Sequence, residues 1–315
     1  MVYYTGDIHG EVRKVCDFIL KNNLTSDNVI VILGDVGINY FGNDKGDAQR
    51  KKILNKCNVP ILCVHGNHEM RPESIETYQE TEWNGSIVYL EDDYPNLLFA
   101  KDGEIYDLDG RKNIVIGGAY SVDKFHRLAM GAHWFSDEQP SEEIKNRVVA
   151  KLESVDWKVD AVLSHTCPYK YMPREVFMSG IDQNKVDYST ERFLEKIEKL
   201  VKYSKWYCGH YHTEKQVDKI EFMFGRIKDF NTGEFVPKFG YNNYEIVRDA
   251  FSKKEAYLDS NNPHCPFCNS NDIVLQKGDG YKIYGDDTIA LICENCKKVY
   301  GFNDVKYKQN CPRDL

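Results

Sequence analysis

Asn28 to Asp35, NVIVILGD, is the stretch whose reading decides the fold. Val29 to Leu33 is continuously apolar and mostly β-branched, the composition of a strand covered on both faces. Gly34 lets the backbone turn sharply at the strand end and lifts Asp35 out of it. Alone, such an Asp reads as a turn residue. Four other strand candidates end the same way, each delivering a ligand-type side chain. Val2 to Thr5 runs into Gly6-Asp7-Ile8-His9-Gly10, and Val59 to Val64 into His65-Gly66-Asn67-His68-Glu69. Asp160 to Leu163 ends in Ser164-His165, and Lys205 to Cys208 in Gly209-His210-Tyr211-His212. In open α/β sheets ligands bind at that carboxyl edge.

Between these strands lie helix patterns. Glu11 to Leu24 carries Val12, Val15, Cys16 and Ile19 at helical spacing, and Asp47 to Cys57 turns Ile53 and Leu54 inward. Ser141 is an N-cap for a helix with the stripe Ile144, Val148, Leu152 and Val155, and a later helix from Ser189 is read with Phe193, Ile197, Leu200 and Val201 buried. From Trp83 to Tyr120 short strand candidates replace the βα pattern, and the pieces divided by Asp102-Gly103 and Asp109-Gly110 read as hairpins of a second sheet. Two sheets packed face to face with helices outside fit this order better than one doubly wound sheet. Residues 117 to 140 are aromatic, charged and aperiodic, the mark of a functional or mobile segment.

Bulk composition sets limits on the partners. The chain has 315 residues, enough for one large domain and a small one, and a net charge of -8 that argues against general attraction to nucleic acid or anionic membranes. The first residues run directly into a strand without the basic and apolar regions of a signal peptide, and no apolar run nears the roughly 20 residues of a membrane span. The expected location is cytoplasmic. Cys16, Cys57, Cys63, Cys167 and Cys208 are scattered in apolar or helical contexts, where small reduced thiols are expected.

Taken together, the strand ends offer Asp7, His9, Asp35, Asn67, His68, His165, His210 and His212. Carboxylate, imidazole and amide oxygens suit a borderline divalent metal such as Zn, Mn or Fe, and the set exceeds the needs of one ion. The order GDIHG, GD, GNHE, H, GHYH resembles the calcineurin-like metallophosphoesterases over about residues 1 to 230. The resemblance implies an α/β fold of four layers, a β-sandwich flanked by helices. It implies that Asp7, His9, Asp35 and His212 bind one metal, that Asn67, His165, His210 and again Asp35 bind the other, and that His68 sits beside the leaving group. The expected activity is two-metal phosphoester hydrolysis, as phosphatase or phosphodiesterase, with a metal-bridging hydroxide attacking phosphorus in line. Asp35 and a protonated His68 are the expected catalytic residues.

Departures from the family narrow the substrate. GDIHG and GNHE resemble the protein serine/threonine phosphatase branch, whose middle motif is GDxVDRG with an Arg before GNHE. Here Ile38 stands at the position of an Asp that supports the catalytic His, and Asn39 and His65 replace two phosphate-binding arginines. The 117 to 140 segment could replace them through Asp123, Lys124, His126, Arg127, His133 and Trp134, and Tyr120 or Trp134 could stack a base. Equally, Trp134 and Phe135 could pin the loop to the core.

The C-terminal part carries a separate signal. Cys265-Pro-Phe-Cys268 and Cys293-Glu-Asn-Cys296, with 24 residues between them, resemble the knuckles of a zinc ribbon, one structural Zn held by four thiolates. Its strands are expected at Ile273 to Leu275 and Ile289 to Ile292. The expected domains are thus 1-250 catalytic, 251-262 linker and 263-315 zinc ribbon. From His264 onward Lys plus Arg and Asp plus Glu each number seven, so a basic nucleic-acid footprint is absent and a structural or protein-contact role is preferred. Two rivals stay open: a metal-dependent nuclease with the ribbon on the strand, and a phosphate-binding interaction module that retains the metal scaffold but little catalysis.

Overall fold

The computed structural model describes residues 1–42, 45–230, 232–236, 273–277, 289–293 and 299–302. The chain divides into two units, Met1–Phe239 and Gly240–Leu315. In chain order the first unit opens with β1 (Val2–Thr5), α1 (Val12–Lys21), β2 (Val29–Ile32), α2 (Lys45–Asn55) and β3 (Ile61–Cys63), and continues with β4 (Gln79–Trp83), β5 (Ser86–Leu90) and β6 (Leu97–Ala100). Next come β7 (Ile105–Asp107), β8 (Lys112–Ile116), α3 (Lys124–Ala129), α4 (Glu142–Glu153), β9 (Ala161–Ser164) and α5 (Ser189–Leu200). It closes with β10 (Lys205–Cys208), β11 (Lys215–Val217), β12 (Ile220–Phe222), β13 (Ile227–Asp229) and β14 (Phe235–Val236).

These strands form two sheets. One has the order β14-β13-β1-β2-β3-β6-β5-β4 and the other β11-β12-β10-β9-β8-β7. Each is parallel in its middle, through β1, β2, β3 and β6 in the first and β8, β9, β10 and β12 in the second. Parallel pairing sends the carboxyl ends of β1, β2 and β3, and those of β9 and β10, to one edge of their respective sheets. The metal-type side chains follow those ends.

Three apolar layers hold the sheets and helices together. Alternate residues of each strand face opposite ways, so β2 places Ile30 and Ile32 against Val15, Phe18 and Ile19 of α1 while Val31 and the following Leu33 face the second sheet. Between the sheets, Val2, Tyr4, Val31, Leu62 and Leu98 meet Tyr106, Val115, Leu163 and Tyr207. Beyond the second sheet, Ile114, Val162, Trp206 and Phe222 pack on Ile144, Val148 and Leu152 of α4 and on Leu194 and Ile197 of α5. A strand buried on both faces has no polar side, which is why NVIVI shows no alternation. Ser141 caps α4 as its sequence suggests, accepting from the Ile144 amide at 3.2 Å, an interaction worth about 1 kcal/mol.

Several boundaries and pairings differ from the sequence reading. β5 and β6 belong to the first sheet and β7 and β8 to the second, so Asp102-Gly103 is a crossover between sheets and only Asp109-Gly110 closes a hairpin. Asp109 and Gly110 both have positive φ, as that tight turn requires. α5 departs in part from the expected face: Ile197 and Val201 are buried as expected and Phe193 is partly buried, but Leu200 is 57% exposed and Thr190, Glu191 and Leu194 are buried instead. The aperiodic 117 to 140 segment contains α3, too short at six residues to show a helical period.

In the second unit the described strands are β15 (Ile273–Lys277), β16 (Ile289–Cys293) and β17 (Val299–Phe302), paired antiparallel in that order. Of the proposed zinc ligands, Cys265, Cys268 and Cys296 lie outside the described residues, and Cys293 ends β16. The linker at 251-262 lies outside them as well. No helix among the described residues is long and apolar enough to cross a membrane.

Candidate metal centre

Seven side chains nominated as ligands converge at the carboxyl edge of the parallel strands. Asp7, Asp35, Asn67 and His165 are buried, whereas His9 and His212 reach toward solvent. Asp7, His9 and His212 form one compact group of donor atoms, and Asp7, Asp35 and His165 form another. His212 Nε2 lies 3.2 Å from Asp7 Oδ2 and 2.9 Å from His9 Nε2. Asn67 Oδ1 lies 2.8 Å from His165 Nε2 and 3.0 Å from His210 Nδ1.

The backbone is bent to present these groups. His9, Asp35, His210 and His212 all have φ between 45° and 66°, a left-handed conformation uncommon outside glycine. Strain of this kind, of order 1–3 kcal/mol per residue, persists where surrounding structure enforces it and clusters at functional sites. The motif glycines have a steric reason. A Cβ on Gly66 would lie 2.1 Å from Asp35 Oδ1, and one on Gly209 would lie 2.2 Å from Asp7 Oδ1. In each case a carboxylate oxygen occupies the place of the side chain. The same oxygens accept backbone amides, Asp35 Oδ1 from His68 N and Asp7 Oδ1 from His210 N, both at 2.9 Å. One oxygen of each carboxylate thus anchors the loop opposite; Oδ2 of Asp35 is buried without a hydrogen-bond partner, and Oδ2 of Asp7 is buried with only the His212 ring nearby.

This donor arrangement fits divalent cations. His165 donates from Nδ1 to the Leu33 carbonyl at 2.8 Å, which leaves the Nε2 lone pair facing Asn67 Oδ1. Asn67 donates from Nδ2 to Ser121 Oγ at 2.8 Å, so its oxygen is the atom turned to both imidazoles. Lone pairs and orphaned carboxylate oxygens meeting in a buried space are costly until positive charge lies between them. Electrostatics agree. Burial opposes ionisation of Asp35, but the imidazoles of His165, His68 and His9 outweigh it and hold the carboxyl well below its usual range. Asp7 is likewise lowered, with burial opposed chiefly by its hydrogen bond to His212. That bond raises His212, whereas burial drives His210 down to about 3. A neutral His210 is the form that can ligate a metal.

Glu69, beside this cluster, joins two of the motif loops. Its carboxyl oxygens accept from Gly66 N at 3.0 Å and Gly37 N at 3.2 Å, and burial pushes its pKa up to about 8. His68 is partly buried at the cavity mouth, its Nε2 4.0 Å from Asp35 Oδ2 and 3.4 Å from Arg127 Nη2. Burial lowers its pKa against the pull of Asp35, and Arg127 lowers it further. Ile38, at the position of the family's supporting Asp, is fully buried in the α1 layer.

A cavity of about 270 Å³ opens beside the cluster, lined by His9, Asp35, Gly37, Tyr40, Phe41, Arg50, His68 and Arg127. Of the residues expected to touch substrate, Arg127 lines it and His65, Asn39, Asp123, His126 and His133 do not. His65 and Asn39 are buried, Asn39 accepting from Tyr78 OH at 3.1 Å. Asp123 accepts from Arg127 Nε at 2.7 Å and thereby aims the guanidinium. His126 is exposed, and His133 packs edge-on against Tyr40 and Phe41. Trp134 is pinned, donating to Glu138 Oε2 at 2.9 Å with Lys124 over its ring.

Arg50, on α2, is absent from the sequence-derived site. Its Nη1 donates to the Gly37 carbonyl at 2.9 Å, and its guanidinium lies 2.8 Å from where a Cβ on Gly10 would be. No motif announces it; only the packing of α2 against the two glycine turns brings it there.

Residues 1–214 match the family described as calcineurin-like phosphoesterase. Among solved structures, TT1561 of Thermus thermophilus is 12% identical with a TM-score of 0.45, covering 75% of this chain and 96% of its own. A protein of unknown function, AQ665 from Aquifex aeolicus, is 13% identical with a TM-score of 0.26, covering 55% and 81%. The 5'-nucleotidase precursor of Thermus thermophilus is 13% identical with a TM-score of 0.37, covering 82% of this chain and 59% of that one. No curated protein matches the sequence. With the matched family spanning residues 1–214, this chain belongs to the calcineurin-like phosphoesterases and is a metal-dependent phosphoester hydrolase.

Proposed function

We propose that the chain is a two-metal phosphomonoester hydrolase. The observation that carries this reading is the pairing of the donor cluster Asp7, His9, Asp35, Asn67, His165, His210 and His212 with two guanidiniums, Arg50 and Arg127, on one small cavity. Asp7, His9, Asp35 and His212 would hold one ion, and Asn67, His165, His210 and Asp35 the other, with Mn, Fe or Zn as the fitting metals. Bound there, such ions supply positive charge to a phosphoryl group and acidify a water.

The chain's own residues supply binding and orientation. Arg50 and Arg127 line the wall around the cluster, so a phosphate placed over it meets a cation from α2 and another from α3. Two fixed cations suit a dianion better than the single charge of a diester. His68, 3.4 Å from Arg127 Nη2, would stand beside the leaving-group oxygen and exchange a proton with it. Tyr40 and Phe41, with their rings 4.7 Å apart, close the far wall with an apolar face.

The test is a matched pair of chromogenic substrates, one phosphomonoester and one phosphodiester, assayed with manganese. The monoester is expected to be preferred, and Arg50→Ala and Arg127→Ala should each lower kcat/KM for it by about 10- to 100-fold, the worth of one charged hydrogen bond. The same changes should affect the diester less. Preferential diester cleavage, or arginine variants with unchanged kcat/KM, would contradict this reading.

For the C-terminal part, a zinc ribbon closed by Cys265, Cys268, Cys293 and Cys296 remains our reading, within domains bounded at 1-250, 251-262 and 263-315. The three-stranded antiparallel sheet of β15, β16 and β17 supports it.

A further inference from the structure

Cys16 and Cys57 bring their sulfurs to 2.7 Å of one another, against about 2.05 Å in a disulfide. Cys16 lies on the flank of α1, whose Val15, Phe18 and Ile19 face the sheet; Cys57 follows the end of α2. Both thiols also approach the Ile53 carbonyl at 3.7 Å. Both are half-buried, whereas Cys63, Cys167 and Cys208, the other cysteines of the first unit, are buried.

We propose that Cys16 and Cys57 form an oxidisable dithiol, whose disulfide staples α1 to α2 without displacing either helix. The sulfurs already approach within about 0.7 Å of bonding, so closure needs only small side-chain rotations. The two thiols share a hydrogen bond that lowers the Cys57 pKa and raises that of Cys16, which makes Cys57 the first nucleophile. With a small-molecule disulfide such as oxidised glutathione, the Cys57 thiolate attacks one sulfur and expels one glutathione thiolate. Cys16 then loses its proton and attacks Cys57 Sγ, expelling the second glutathione. The protein loses two hydrogens and the oxidant becomes two thiols.

The consequence lies in the catalytic wall. α1 starts just after Gly10, and α2 carries Arg50 together with Asp47, whose Oδ2 accepts from Phe41 N at 2.6 Å and Gly42 N at 3.0 Å. The staple would therefore fix the helix that holds one side of the cavity, and would stabilise the fold by closing a loop of 41 residues in the unfolded chain.

The experiment uses the full chain treated with millimolar oxidised glutathione, then alkylated and mapped by mass spectrometry. We expect a Cys16–Cys57 linked peptide, a melting temperature about 10 °C above that of the reduced protein, and reversal by dithiothreitol. Cys16→Ser should trap glutathione on Cys57 and show no such rise. Both cysteines recovered alkylated, a different pairing, or a linked protein that melts no higher than the reduced one would overturn the proposal.

Discussion

Asp35→Asn is expected to abolish turnover, by about 10³-fold or more, and to lower the metal content of the purified protein. The substitution keeps the shape of the side chain and an oxygen for the His68 amide, so the loop geometry should survive. It removes the negative charge that faces His9 at 3.9 Å, His165 at 3.7 Å and His68 at 4.0 Å. A buried site built for cations then lacks one of its two compensating carboxylates, and a loss of about 4 kcal/mol in transition-state stabilisation is the scale expected of metal-site charge. Turnover and metal content should be measured on the same preparation, with the thermal melt as a control for folding. Full turnover with unchanged metal would remove Asp35 from the centre.

His68→Asn should behave differently. Its ring nitrogen contacts Arg127 and approaches Asp35, but it stands outside both compact donor groups. We expect kcat to fall by about 10²- to 10³-fold, the usual worth of a positioned proton-transfer group, with KM and metal content close to those of the parent. Loss of metal would make His68 a ligand. An unchanged kcat would mean that the leaving group departs without it, and the aim of Arg127 toward that ring would need another purpose.

These two residues were legible in the sequence because both sit directly after buried strands, where glycine-flanked turns mark a functional edge. The continuous apolar run Val29 to Leu33 told the fold correctly for a physical reason: each of its side chains enters one of two apolar layers, so the strand must lie between them. What stayed hidden depends on packing between distant segments. Arg50 reaches the cavity because α2 lies over Gly10 and Gly37, and nothing in its neighbourhood distinguishes it from a solvated helix cation. The replacement of two family arginines by Asn39 and His65 was visible, but the burial of these two was not, and so they were expected at the substrate. Hairpin punctuation at Asp102-Gly103 marks a turn without saying which sheet receives the next strand. There Asp102 instead accepts from Arg71 at 2.7 Å and from the Gly117 amide at 2.6 Å, holding the crossover in place. The phase of α5 was misjudged in part: Ile197 and Val201 are buried as expected, but Leu194 faces the second sheet in place of Leu200.

The most direct test of the central claim is a stepwise manganese titration of metal-free protein, reading bound Mn²⁺ per chain and phosphomonoester turnover in parallel. The account predicts that turnover stays low through the first equivalent and rises with the second, because on the proposed reading both ions are needed and share the Asp35 carboxylate. A plateau of activity reached with a single bound ion would contradict it.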